Sequence, residues 1–485
     1  VSLAGYDVVV VGAGTAGCVV AARLAGAGAR VLLTEAGNGG PPAGADVPAA
    51  FPSFVGSSAT WGDVTTPQPG TGTSPALARG RGLGGSSAIN GMIFARGHHS
   101  GYADWPVGWR FDDLLPYFKR SENAAGRDPA VRGVGGPLTV SPASPMRPVI
   151  QAGLNAAVRA GFSRVDDVSS GLVEGFGPVD LNIVAGRRQS VVDAYLRPAL
   201  GRGTIDVVGD AVAQRLLFHR SRCVGVQYRK GLTTVTVMCD MVVLAAGAIG
   251  TPQLLLRSGV GPRRDLGSYG IETIHDLPGV GAGLQDHPLT SIVYESARPV
   301  EQRASSNHAE AIGLVRSGPH LIQLVLMDYA RRLPGIAAPE HGFTIAVAVI
   351  RPHSRGSVRL ADANPETPPI IDPAYYRDER DVDAAVAGLR IAERIGNEHS
   401  WRKATVAPGD EEPAAFVRRT TSSYFHPVGG CAIGDVVDER LRVRGLDGIV
   451  VADASVMPSI PAGNPQATVY AIAERAAELI RARSL

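Results

Sequence analysis

Gly12, Gly14 and Gly17 stand in the order G-x-G-x-x-G within YDVVVVGAGTAGCVVAARLAGAGARVLLTEAG, and an acid, Glu35, follows twenty-three positions after the first of them. This spacing suits a dinucleotide. One glycine permits a tight turn, one lets backbone approach a pyrophosphate, and one allows close helix–strand packing, while the acid is placed to accept hydrogen bonds from an adenosine ribose. Thr15, Ala16 and Ala36 fall in the same constellation. The motif does not by itself separate FAD from NAD. Other reactive side chains are eleven histidines, among them the adjacent His98 and His99, His287 in LQDHP and His426 in YFHPVGG. The four cysteines, Cys18, Cys223, Cys239 and Cys431, form no C-x-x-C pair, so free thiols and no metal site are expected.

Such a fingerprint works only between a strand and a helix. Tyr6 to Val11 is a valine-rich run that reads as a buried strand, Ala16 to Leu24 carries helical spacing through Val19, Val20 and Leu24, and Val31 to Thr34 reads as a second strand. The helix N-terminus then faces the anion. At roughly 150 residues per domain, 485 residues suffice for about three folding units or two larger interleaved ones. An apolar share of 45% and a charged share of 19% are those of a globular chain with a sizeable core. The net charge of +2 and the scattered basic residues, almost all Arg, argue against nucleic acid and for small-molecule chemistry. No secretory signal and no long apolar run is evident, so no membrane span and cytoplasmic residence are the expectations.

Five further blocks sharpen the reading. They are RGRGLGGSSAING from Arg79, MVVLAAGAIGTPQLLLRSGVGP from Met241, DLPGVGAGLQDHP from Asp276, SYFHPVGGCAIG from Ser423 and VVADASVMPSIPAGNPQATVYAIAERAAELI from Val450. In content and order the chain resembles the glucose-methanol-choline (GMC) oxidoreductases. The resemblance implies an α/β fold: a discontinuous Rossmann-like FAD-binding domain, and a substrate domain built on an antiparallel sheet flanked by helices. The expected partition is 1–135, 190–290 and 420–485 for the first, and 136–189 and 291–419 for the second. In the latter, His341 to Asp362 alternates and runs apolar as strands do, and Asp381 to Ile395 has helical spacing. The implied activity is oxidation of a small-molecule alcohol by hydride transfer to flavin N5, with O2 or another electron acceptor completing the cycle. The alternative is cyanohydrin cleavage on the same scaffold. Oligomeric state is not legible.

Alcohol oxidation needs a base near neutral pH, and histidine suits that task. A lone histidine between Phe425 and Pro427 would ordinarily read as structural, but the resemblance implies that His426 is the general base and Asn464 a hydrogen-bond partner of the substrate oxygen. Pro465 and Gln466 should open a final helix, with Val469, Ile472, Ala473, Ala476 and Ile480 on its apolar face. Its N-terminal amides would favour negative charge on a reduced flavin; an ordinary cap by Asn464 is the plainer alternative. Cofactor contacts are carried over to Gly85, Ser86, Asn90, Gly91, Met92, Val212, Asp453 and Ala454. Some relatives join FAD covalently through a histidine just before the residue matching Asn90; Ile89 stands there, so noncovalent FAD is expected. Tyr424 and Phe425 are candidate pocket aromatics. Glu310 is expected as a helix-surface acid with a minor claim on the pocket, and Asn307 and His308 beside it disfavour choline. His98 and His99 are expected on a solvated loop, and His287 in a structural one.

Overall fold

The computed structural model describes residues 2–201 and 203–482. Its opening follows from the valines: Ser2–Val11 forms a strand, α1 spans Thr15–Ala25, and Val31–Thr34 returns beside the first strand in parallel, from Val8 opposite Val31 to Val11 opposite Thr34. Parallel neighbours require a crossover, and α1 supplies it. A seven-stranded sheet grows from this pair in the order 205–208, 31–34, 2–11, 233–244, 222–230, 211–219, with 449–451 alongside the end of 233–244. Segments distant in sequence therefore share one sheet. Register places Val11, Thr34, Leu244 and Val451 together at the carboxyl ends of the parallel strands, the edge at which α/β sheets bind ligands. Helix α2, Gly247–Arg257, leaves from the same edge.

The second sheet is antiparallel, in the order 402–407, 288–296, 342–349, 320–327, 311–317, 175–178, with 422–423 beside the start of 288–296. Both faces are buried. Along His320–Met327, Ile322, Leu324 and Leu326 join a core with Val382, Leu389 and Ile395 of α3, Glu379–Asn397. The alternate residues Leu321, Val325 and Met327 cluster on the other face with Ala462. Gln323 shares that parity as the one polar residue in an apolar run. Two short pieces cross the expected partition: this sheet begins at Pro288, short of 290, and takes Ser422–Ser423 from within 420–485.

Helix α4, Gln466–Arg481, closes the chain with Ile472, Ala473, Ala476 and Ile480 buried, as its periodicity predicts; Val469 is only half-buried. It packs along α1, where Arg23 forks onto Glu474 at 2.7–3.1 Å and the Tyr195 hydroxyl donates to the same carboxylate at 2.8 Å. Among the described residues no helix is long and apolar enough to cross a membrane, and no His, Cys, Asp and Glu cluster is arranged to hold a metal.

Candidate active site

A cavity of about 240 Å³ opens at the carboxyl edge of the first sheet. Gly12, Gly14, Thr15, Ala16, Glu35, Ala36, Gly85, Ser86, Val212, Asp453, Ala454, Pro465 and Gln466 line it, together with Phe425 and His426. The N-termini of α1 and α4 meet there, and the Gln466 amide donates to Thr15 Oγ1 at 3.0 Å. The fingerprint glycines divide their tasks. A Cβ on Gly17 would come within 1.8 Å of the Gly12 carbonyl, whereas one on Gly14 would meet no atom within 4 Å. Gly17 thus serves helix–strand packing, and Gly14 keeps the cavity wall flat. Glu35, buried, accepts from the N–H groups of Ala13 (3.0 Å), Gly37 (2.8 Å) and Gly82 (3.0 Å). Burial outweighs those bonds and raises its pKa. Asp453 is likewise engaged, by Gly247 N–H and the hydroxyls of Thr251 and Ser455, and fixes the start of α2 to the end of strand 449–451.

Other expected cofactor positions are hydrogen-bonded within the protein. Asn90 accepts from Met92 N–H (3.0 Å) and Arg188 (2.7 Å), and the Gly91 carbonyl accepts from Asn307 (2.7 Å). Gly17, Asn90, Gly91 and Met92 do not line the cavity, whereas Trp61 and Arg257, which no spacing singled out, do. Replacing Gly14, whose backbone is extended at φ −77°, by Val should leave the apoprotein's melting temperature nearly unchanged yet weaken FAD binding by at least ~10-fold. Flavin-to-protein absorbance of the purified variant, beside its circular dichroism, checks both halves.

At the other end of the cavity a hydrogen-bonded chain converges on His426. Gln323 Nε2 donates to Asn464 Oδ1 at 3.0 Å, turning the Asn464 amide nitrogen toward His426 Nε2 at 3.3 Å. With the amides so oriented, His426 Nε2 must be an acceptor, so its proton resides on Nδ1 and is donated to His287 Nδ1 at 2.9 Å. Burial, with His287 beside it, drives the His426 pKa well below the ordinary histidine value, and burial lowers that of His287 to about 3. Both rings are therefore neutral at pH 7. Asp286 anchors the pair from beneath, accepting from the N–H groups of His426 (2.8 Å) and His287 (2.9 Å) and from the hydroxyls of Ser423 and Tyr375. The Tyr424 ring lies 4.2 Å from that of His426, its buried hydroxyl lies beside Asn464, and Gln323 Oε1 is buried without a hydrogen-bond partner.

Comparison with known proteins extends this geometry to the whole chain. Residues 6–289 and 352–473 match the two domains that define the GMC oxidoreductases. The chain belongs to the GMC oxidoreductase family. Among its curated relatives is the oxygen-dependent choline dehydrogenase of Brucella anthropi, 34% identical over 99% of this chain and 96% of the relative. Pyridoxine 4-oxidase from Mesorbium loti superposes with a TM-score of 0.92 at 33% identity, over 99% of both chains. Formate oxidase from Aspergillus oryzae follows at 0.91 and 26%, over 99% of this chain and 98% of its own. As a GMC oxidoreductase, the chain is an FAD-dependent enzyme acting on CH–OH donors, with a FAD-binding and a substrate domain.

Within the GMC fold, several expected placements need correction. Glu310 is no helix-surface acid: it is buried at the head of strand 311–317, where its carboxylate accepts from Arg147 N–H at 2.6 Å and Ser306 Oγ at 3.3 Å, away from the cavity. Asn464 does not cap α4; Pro465 occupies the cap, and the Asn464 side chain is spent on Gln323 and His426. His98 is buried, not solvated, and its N–H holds the Ala462 carbonyl at 2.8 Å just ahead of Asn464; His99 alone is exposed. His287, expected as structural, touches His426 directly. Phe425 lies at the cavity edge with a left-handed backbone, φ +62°, strain that a non-glycine residue bears when its surroundings over-determine it.

Proposed function

We propose that this GMC enzyme oxidises a small alcohol with His426 as general base and Asn464 as the partner of the substrate oxygen. The observation that carries the reading is the hydrogen-bonded set around His426, whose Nδ1 lies 2.9 Å from His287 Nδ1 and whose Nε2 lies 3.3 Å from the Asn464 amide nitrogen that Gln323 orients. The 1–135, 190–290 and 420–485 segments would hold noncovalent FAD, which would supply the hydride acceptor. Gly14 and the α1 amides would receive its pyrophosphate, Glu35 its ribose and Val212 its adenine; Gly85, Ser86 and Asp453 would flank the chain between. Ile89, where a covalent link would need histidine, supports the noncovalent reading.

His426 Nε2 takes the hydroxyl proton while the Asn464 amide N–H donates to the oxygen on which charge grows. His287 keeps the imidazole turned so that Nε2 points at that oxygen. The first turn of α4 places backbone N–H groups, and their positive potential, on the cavity wall. The names of the curated relatives favour O2 as the final acceptor, and the proteins compared above are oxidases and a dehydrogenase, none a lyase.

The reading makes a signed pH prediction. Protonating Nε2 removes the base, so anaerobic flavin reduction should rise with pH to a plateau. Because burial depresses the His426 pKa, the acid limb should fall below the ordinary histidine value of about 6.5 and belong to the His287–His426 pair jointly. Rapid-mixing measurement of flavin bleaching by an alcohol across pH tests this; an acid limb above about 7 would contradict it.

A further inference from the structure

One half-buried cation near this site has no carboxylate partner among the described residues. Arg331 donates from Nη1 to Ser291 Oγ at 2.9 Å and from Nη2 to Ser422 Oγ at 2.6 Å, both neutral hydroxyls that occupy only part of a guanidinium's donor set. Its electrostatic neighbours are the phenols of Tyr329 and Tyr424, and burial lowers its pKa. Among the buried arginines, Arg188 likewise donates only to neutral oxygens, of Ala45, Ser87 and Asn90, whereas three lie beside carboxylates. Arg96 and Arg132 pair with Glu122, and Arg147 lies 3.4 Å from Asp328. Asp328, which also neighbours Tyr329, is occupied by His308 Nδ1 at 2.7 Å, Ser306 Oγ at 3.3 Å and that same Arg147. A guanidinium desolvated without a carboxylate is costly, and an anionic ligand would offset that cost.

The position of Arg331 says which ligand. Tyr424 neighbours both Arg331 and His426, and its hydroxyl lies beside Asn464. Arg331, Tyr329, Tyr424 and His426 all keep partial accessible surface. Ser422, which accepts from Arg331, lies two residues before Tyr424 and four before His426 on one segment, so the chain brings the guanidinium and the base into one neighbourhood.

We propose that Arg331 receives a carboxylate carried by the alcohol, so that the preferred substrate is a hydroxy-carboxylate and not the quaternary-ammonium alcohol of the choline relatives. This rests on the reading of His426 as the base acting on that alcohol. A guanidinium matches a carboxylate with two parallel N–H bonds, and the Tyr424 hydroxyl can add a third donor. A quaternary ammonium in the same place would meet a like charge.

The test uses FAD-loaded enzyme and three matched alcohols: para-hydroxymethyl benzoate, its neutral amide, and para-hydroxymethyl phenyl-trimethylammonium. In the wild type, kcat/KM should be ~10- to 100-fold higher for the benzoate than for the amide, and lowest for the ammonium. In Arg331→Gln the benzoate should lose that advantage, while Arg331→Lys should keep part of it. A second readout needs no turnover. Para-toluate should perturb the flavin spectrum at concentrations at least ~10-fold lower than para-toluamide, and Arg331→Gln should erase the difference. Equal or better use of the amide or the ammonium by the wild type overturns the proposal, as does an anion preference that survives in Arg331→Gln. If that variant does not fold, the wild-type ranking and Arg331→Lys decide on the same criteria. Should none of the alcohols bleach the flavin, hydride transfer is what fails, and the toluate titration still judges Arg331.

Discussion

Replacing His426 by Ala should leave FAD bound and lower the rate of anaerobic flavin reduction by about 10²- to 10⁴-fold. The size follows from what is lost. An alcohol carbon releases hydride readily only as its hydroxyl proton departs, and Nε2 of His426 is the neutral acceptor that Asn464 and Gln323 turn toward that position. His426 sits at one end of the cavity, while Gly12, Gly14 and Glu35 line it at the carboxyl edge of the sheet, so cofactor affinity should change little. His426→Gln keeps a polar group without the proton affinity, and should fall in the same range. Rapid-mixing absorbance in the flavin band, beside the bound-flavin ratio, measures both quantities. A variant that loses FAD and activity together would make His426 a structural residue.

The largest effect on stability is expected at Asp286. Its carboxylate is fully buried and accepts from the N–H groups of His287 and His426 and from the hydroxyls of Ser423 and Tyr375. Asp286→Ala strands four buried donors, each worth about 1–3 kcal/mol when left unpaired, although the losses do not add in full. We expect a loss of about 3–5 kcal/mol in unfolding free energy. Asp286→Asn, which keeps acceptor oxygen but introduces a donor among donors, should fall between. Activity should decline in both variants, because Asp286 sets the backbone of the loop that carries His426. Denaturant unfolding of the holoenzyme checks the ranking, and wild-type stability in Asp286→Ala would show that this network is not what holds the loop.

The two halves of the site were unequally legible in the sequence. Gly12, Gly14, Gly17 and Glu35 lie within one β–α–β unit, so local spacing singles them out, while the packing role of Gly17 and the open space at Gly14 needed the coordinates. His426 gathers partners that no spacing could join, since His287, Asn464 and Asp286 come from other loops and Gln323 from the second sheet. A faint signal existed for Gln323: a single amide inside HLIQLVLM, in a strand buried on both faces, needs a partner. Arg331 gave none, because its meaning lies in the absence of a carboxylate, which only coordinates disclose. Glu310 misled because AEAIGL reads as helix, whereas Ala311–Ser317 pairs with two neighbouring strands, and tertiary pairing overrides such local preference.

The most direct test of the central claim is anaerobic rapid mixing of the wild-type holoenzyme with one alcohol in two forms, protiated and deuterated at the carbinol carbon. The account predicts that the flavin bleaches in a single turnover, that the deuterated alcohol bleaches it several-fold more slowly, and that the oxidised spectrum returns when O2 or an added acceptor is admitted. Turnover of the alcohol with the flavin spectrum oxidised throughout would contradict hydride transfer.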